Sequence, residues 1–294
     1  MKGYVFLFLQ ALIFSFGGLL IKGAGTVCSP FLLSALRFLI GILLLLILQK
    51  MRYGRLHLTL ASRVVIIGGI CKAVHYVGEN YGVMKGFSYG GILVWPVQTV
   101  AILLISIFIY KERFAFHVIL GAILCTAGIG VVSWNGASAD VFMQSQATTL
   151  LAFVFAGIGA CIFTVMQKKL VQEMDSIELN SSMFSYGLLT TLFVLVPTGP
   201  HGRGPVSFTG VICIILLGII TCVGFLLQAE AIKTVPLFAA TILQSCTVIL
   251  NIVWGVLFYG DKITPYVLSG SAMFLIGMLI VNTNKQAGKK PAGK

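Results

Sequence analysis

The chain is 294 residues long, 58% hydrophobic and only 10% charged, with a mean hydropathy of +1.03. Soluble domains carry about 25% charged residues, so this composition excludes a soluble enzyme or binding module and points to a polytopic membrane protein. The formal net charge of +12 does not indicate nucleic acid: the Lys and Arg residues sit in short loops between apolar runs, where they orient a membrane protein.

Ten apolar runs reach spanning length, at 4–21, 31–49, 64–84, 88–110, 115–134, 148–167, 179–197, 208–230, 237–258 and 265–282. Each exceeds the roughly 17 residues a helix needs to cross a bilayer. The first run is preceded by Lys2 and followed by KGAG at 22–25, which loosely fits a signal peptide. A later copy of the segment argues for a retained first span. The second run opens on Ser29-Pro30, a hydroxyl cap followed by a first-turn proline, and contains Arg37. Arg37 suits either an anionic group such as a carboxylate or an interhelical tie.

The third run carries the strongest functional signal. Lys72, His75, Glu79 and Asn80 stand in mid-segment between lipid-like flanks. A charge near a bilayer centre costs roughly 2.5–3.5 kcal/mol on insertion scales, so such groups face a bundle interior or a wet cavity. Spacings of three, four and seven put Lys72, His75 and Glu79 on one helix face. His75 and Glu79, one turn apart, are candidates for binding an amine or carrying a coupling proton, or for locking the span to a neighbour. Lys72 lies about 10 Å of axial rise from Glu79 and reaches it only through His75. Gly78, Gly82, Gly86 and Gly90 recur every four residues, and the first two allow close helix approach.

The fourth run holds Trp95 and Gln98 as candidate cavity-wall residues, and Pro96, where a kink is expected. Tyr76, Tyr81, Tyr89, Trp95 and Trp254 suit interface anchoring and packing, or a wall that stacks on a substrate or cages a quaternary ammonium. Asp175-Ser176 precedes the seventh run, Thr234 and Pro236 the ninth, and Thr264-Pro265 the tenth. Glu230 closes the eighth run and is expected to pair with Lys233. Gln244 in the ninth run is an uncharged candidate for orienting a solute. The tail after 284 is polar and basic and suits an anionic membrane surface.

With the N-terminus in the cytoplasm, fourteen basic residues fall in inner segments and four in outer ones, which sets both termini inside. The seven cysteines form no CxxC pair and read as buried small apolar residues, with no metal site or disulfide expected. There is no nucleotide-binding loop, HExxH or GxSxG motif, and no acid pair suited to hydrolysis, so neither catalysis, a cofactor nor ATP-driven pumping is expected.

A shift of 149 aligns the two halves from about residue 105: Tyr110 with Tyr259, Glu112 with Asp261, Gly121 with Gly270, Gly128 with Gly277 and Val132 with Val281. A weaker shift of 146 sets Lys22 on Lys168 and Leu33 on Leu179. The expected fold is therefore an all-α polytopic membrane protein, with ten transmembrane helices as two inverted five-helix repeats at 1–146 and 147–284 and a basic tail at 285–294. An odd span count turns the second repeat upside down, and such repeats place a solute site at their interface near mid-membrane.

Together these signatures resemble the EamA-type branch of the drug/metabolite transporter superfamily. The likeness rests on Val83-Met84-Lys85, Pro96, Glu112, Gly121 and Gly128 in the first half. In the second it rests on Ala231-Ile232-Lys233, Asp261, Gly270 and Gly277, with Arg37 as a further match. Ser245 departs from the pattern where the second half has room for a proline, and His75 and Glu79 lie outside it. The resemblance implies a carrier, often an exporter, of amino acids or other small metabolites in the cell membrane. The expected site is Arg37, His75, Tyr76, Glu79, Trp95, Gln98 and Gln244, with Glu79 and His75 also candidates for proton coupling. Expected partners are a small-molecule substrate, the bilayer and protons, with monomer and homodimer both open. The alternatives are proton-coupled uptake of a cationic or quaternary-ammonium solute and, from another class, an intramembrane enzyme or a passive channel.

Overall fold

The computed structural model describes residues 2–85, 94–111, 114–134, 136, 139–198, 206–259 and 263–282. Among them the ordered elements are all helical: α1 Lys2–Phe14, α2 Gly17–Ala24, α3 Pro30–Tyr53, α4 Arg63–Lys85, α5 Val94–Phe108 and α6 Phe116–Trp134. They continue with α7 Ala139–Leu170, α8 Ser176–Thr198, α9 Phe208–Ile232, α10 Leu237–Gln244, α11 Thr247–Tyr259 and α12 Pro265–Asn282. Six continuous or near-continuous segments are long and apolar enough to cross a membrane, and α5, α6 and α12 contribute shorter apolar stretches. α4 has the length, but its polar residues keep it out of that set. Large apolar side chains such as Phe116, Phe193, Val196 and Phe208 lie exposed around the bundle, the surface lipid would cover.

The helix starts follow local chemistry. The Ser29 hydroxyl accepts from the Leu32 N–H at 3.2 Å with Pro30 in the first turn of α3. The Asp175 carboxylate accepts from Ile177 at 2.9 Å at the head of α8, and the Thr264 hydroxyl from Val267 at 3.3 Å at the head of α12. Each supplies an acceptor for a first-turn N–H that has no intrahelical partner. α3 ends at Gly54, whose φ of 68° is the left-handed turn that favours glycine.

Two expected spans are not continuous helices. The first divides into α1 and α2 at Ser15-Phe16, and the ninth into α10 and α11 at Ser245-Cys246. Each break has a serine folding back: Ser15 Oγ donates to Leu12 O at 2.6 Å and Ser245 Oγ to Thr241 O at 3.0 Å. Hydroxyls that bond the preceding turn compete with the helix ladder. The sixth span is longer than expected, since α7 starts at Ala139. Pro96 lies in the first described turn of α5, so the expected kink falls at the edge of the described residues. Glu112, Asp261, Gly86, Gly90, Tyr89 and the tail lie outside them.

α4 packs against α7 and α8, while α9 packs against α1, α2 and α3; α5 lies on α7 and α10 on α1. The α4–α7 approach is close because glycines line it. A Cβ at Gly78 would come within 2.5 Å of Ala152 O, and one at Gly82 within 2.4 Å of the Phe153 ring. α6 and α12 run antiparallel, with Gly128 against Gly270 and Gly121 against Gly277. Cys125 donates to Phe274 O at 3.4 Å between those two contacts.

Candidate functional site

α4 brings its polar stripe into the middle of the bundle. Lys72 and Asn80 have no exposed surface, and His75 is buried at 8%. Their partners come from three other helices. Arg37 of α3 donates to Glu79 Oε2 at 3.1 Å, to Asn80 Oδ1 at 2.9 Å and to Thr221 of α9 at 3.4 Å. Its guanidinium also lies 3.7 Å from the Tyr76 ring centroid. The planar fork thus ties α3, α4 and α9 together while stacking on an aromatic face. Asn80 completes the knot by donating to Ser34 Oγ at 2.8 Å.

Of the chain of polar groups expected along α4, the Lys72–His75 contact is within hydrogen-bond distance and the His75–Glu79 contact is not. Lys72 Nζ lies 3.0 Å from His75 Nδ1, and His75 Nε2 lies 4.0 Å from Glu79 Oε2. His75 therefore stands between Lys72 and Glu79, and Glu79 stands between His75 and Arg37. The Glu79 side chain retains 20% exposure, directed at the cavity it lines. The Lys72 ammonium is boxed by aromatic rings from three helices: Phe225 of α9 at 3.5 Å, Tyr76 at 4.3 Å and Phe163 of α7 at 4.8 Å.

A second polar group adjoins the first and is uncharged. Gln10 of α1 donates to Gln228 Oε1 of α9 at 2.8 Å, and Gln244 of α10 donates to Gln10 Oε1 at 2.9 Å. Gln98 of α5 and Gln228 both donate to Thr164 Oγ1 of α7, at 3.2 and 3.3 Å. The break between α1 and α2 meets the break between α10 and α11 beside this network. Trp254 Nε1 donates to Ser15 Oγ at 2.7 Å and Thr247 Oγ1 to Ala11 O at 3.3 Å. Irregular backbone is tolerated inside a membrane protein where protein or water satisfies it.

One cavity, open at its mouth, joins the two groups. Arg37, His75, Tyr76, Glu79, Trp95, Gln98 and Gln244, the seven residues singled out in the sequence, all line it. So do Lys72, Phe163, Thr164, Phe225, Gln228 and Asn251, which sequence reasoning did not assign to a site. Gln228 carried the same signal as Gln98, an amide inside an apolar run, and so did Gln10. Phe163 and Phe225 carried none, because a phenylalanine in a spanning helix is ordinary.

The remaining candidates sit elsewhere. Tyr81 borders a separate apolar cleft between α4, α7 and α8. Trp254 stacks on Phe16 at 4.7 Å, bracing the α1–α2 break. Glu230 pairs with Lys233 at 2.6 Å and accepts from Ser176, the local pairing expected. The seven cysteines are free thiols, buried or half-buried. Among the described residues no three His, Cys, Asp or Glu side chains converge.

The chain matches the EamA-like transporter family over residues 1–134 and 147–283. It is 24% identical to an uncharacterized transporter of Clostridium kluyveri, over 97% of this chain and 95% of that one. It is 22% identical to an uncharacterized transporter of Archaeoglobus fulgidus, over 96% and 99%. A solved crystal structure matches with a TM-score of 0.78 at 19% identity, covering 96% of this chain and 98% of its own, and this likeness shows a shared fold.

Proposed function

Because the chain belongs to the EamA-like transporter family, a branch of the drug/metabolite transporter superfamily, and is a multi-pass membrane protein, we propose that it is a secondary carrier. It moves a small metabolite, an amino acid or amine-like solute, across the cell membrane by alternating access, with export ahead of uptake. The observation that carries the reading is the cavity. Ionisable groups rarely occupy spanning helices without a functional reason, and here Arg37, His75 and Glu79 converge with Gln98 and Gln244 on one cavity. Arg37, His75, Tyr76, Glu79, Trp95, Gln98 and Gln244 contact the solute in this reading, and Glu79 with His75 carries a coupling proton.

Two features support ten spans arranged as inverted five-span repeats at 1–146 and 147–284. Gly121 and Gly270 are equivalent under the 149-residue shift, and so are Gly128 and Gly277. The contacts run crosswise, Gly128 to Gly270 and Gly121 to Gly277, with Cys125 and Phe274, 149 apart, at the centre. A contact in which i meets j′ and j meets i′ is what a two-fold axis generates. For antiparallel helices that axis lies across them, in the membrane plane. The packing of α4 on α7 and of α9 on α1–α2 pairs up in the same way. Such a relation gives two equivalent packings, one open to each side. The basic-residue bias supports both termini in the cytoplasm.

Counterflow in reconstituted vesicles tests the carrier. Unlabelled solute on the far side accelerates entry of labelled solute through a carrier; a pore shows no such acceleration, and its absence with every binding solute overturns the reading. An intramembrane enzyme would convert solute without any compartment. The rival of quaternary-ammonium uptake needs an open aromatic box, and the box at this site holds Lys72.

A further inference from the structure

Resting on the carrier reading above, we propose that the solute is recognised by a carboxylate, and that Lys72, acting through His75, is the positioning residue that selects it. The basic and acidic groups around the cavity are unequal in number. Two basic side chains, Arg37 and Lys72, line it with one carboxylate, Glu79. Glu79 is already bonded to Arg37 at 3.1 Å. That leaves Lys72 without a carboxylate in hydrogen-bond range among the described residues; its polar contact is His75 Nδ1 at 3.0 Å. Attraction between charges strengthens as the surroundings lose water, so a buried lysine without a carboxylate partner is favoured in its charged form by a solute that brings its own negative charge.

The rings around Lys72 make the same selection from the other side. Phe225, Tyr76 and Phe163 present their faces to the ammonium from within 3.5–4.8 Å. These are the surfaces that would recognise a foreign ammonium, and the chain fills them with its own side chain. An amine without an acid group thus meets two basic side chains, one committed carboxylate and an occupied aromatic box. A carboxylate entering beside His75 meets the field of Lys72 and a ring nitrogen already held by it. The amide group extends the match. Among the described residues no hydrogen bond reaches the Oε1 of Gln98 or of Gln244, and both line the cavity. Such oxygens accept from an amino group, so an amino acid satisfies both halves of the site, while the acid group remains the required element.

The test uses matched solute triads that share one side chain and differ only in their polar groups, for example 4-methylpentanoate, leucine and 3-methylbutylamine, with side chains from methyl to indolylmethyl. Binding to the purified full-length protein is read by thermal shift and by Kd. In at least one triad the acid and the amino acid raise the melting temperature, and the amine binds at least tenfold more weakly. Lys72→Met lowers affinity for the acid at least tenfold and collapses the acid-to-amine ratio, and Lys72→Arg retains it. A merely structural lysine would lower stability without changing that ratio. The wild-type ranking decides the matter alone if Lys72→Met does not fold. Tighter binding of the amines, an unchanged ratio in folded Lys72→Met, or no binding of any carboxylate by the wild type each overturns the proposal. Counterflow separates it from the carrier reading: a carboxylate that binds without exchanging defeats the carrier and leaves the assignment standing.

Discussion

Lys72 and Glu79 sit two turns apart on one helix, yet their surroundings differ in kind. Lys72 has no exposed surface and is walled by rings, whereas Glu79 keeps part of its carboxylate open to the cavity and is held by Arg37. A partly buried carboxylate in an ion pair anchors its partner as much as it serves a solute. Glu79→Gln keeps the shape and removes the charge. It should abolish pH-dependent transport and lower stability by about 2 kcal/mol, the scale of a hydrogen bond to a charged group. Counterflow at two pH values and a melting curve check both, and unchanged transport would remove Glu79 from the site. Phe225 touches Phe14, Tyr76, Phe163 and Phe184 as well as the Lys72 ammonium. Phe225→Ala should therefore cost about 3–5 kcal/mol, as a large-to-small change in a filled core does. Denaturation in detergent measures it.

At the scale of helices, the decisive features are the two breaks and the glycine seams. Ser15-Phe16 and Ser245-Cys246 interrupt helices that their apolar periodicity presents as continuous, and both breaks face the cavity region. Ser245 attracts notice in the sequence only as a missing proline, and a serine there still divides the helix. Nothing lies within 4 Å of a Cβ added at Gly17, the first residue of α2. Gly17→Ala should then raise stability by about 0.5–1 kcal/mol through the loss of backbone freedom. If the break flexes during transport, turnover falls as the melting temperature rises; a rise in both would show the break to be static. Gly78 is the opposite case. Its Cβ would strike the Ala152 carbonyl at 2.5 Å, and backbone cannot yield as a side chain can. Gly78→Leu should separate α4 from α7, cost about 1–3 kcal/mol as overpacking does, and displace His75 and Glu79. Loss of a monodisperse size-exclusion peak or of solute binding is the readout.

At the scale of the molecule, the crosswise glycine contacts between α6 and α12 support the proposed inverted duplication. In that proposal two copies of one unit meet through the same positions in exchanged roles, and both bring equivalent helices to the cavity. Orientation is testable without a substrate. Single cysteines at Leu56, in the segment after α3, and at Val206, before α9, are placed in a chain freed of its native thiols. With both termini inside, a membrane-impermeant thiol reagent on intact cells labels the cysteine at 206 and spares the one at 56. The reverse pattern would invert the whole topology. The segment after α3 is also pinned by contacts that leave little slack: His57 and Thr59 both reach Glu178 of α8, at 2.8 and 2.6 Å.

Apolar run length, cap chemistry and loop charge are local properties, and they determined the membrane class and the helix starts at Pro30 and Pro265, while the polar and aromatic residues singled out within the runs are seven of those that line the cavity. A polar group inside an apolar run is costly wherever the run ends up, so its inward position was legible before any packing was known. Which inward groups touch each other was not. Arg37 reaches Glu79 across 42 positions and Gln244 reaches Gln10 across 234, and no periodicity encodes such pairs. The rings around Lys72 come from α4, α7 and α9, each phenylalanine indistinguishable in sequence from a lipid-facing one. Only the tertiary structure decides which face of a uniformly apolar helix turns inward, because in a bilayer lipid and core offer side chains nearly the same solvent.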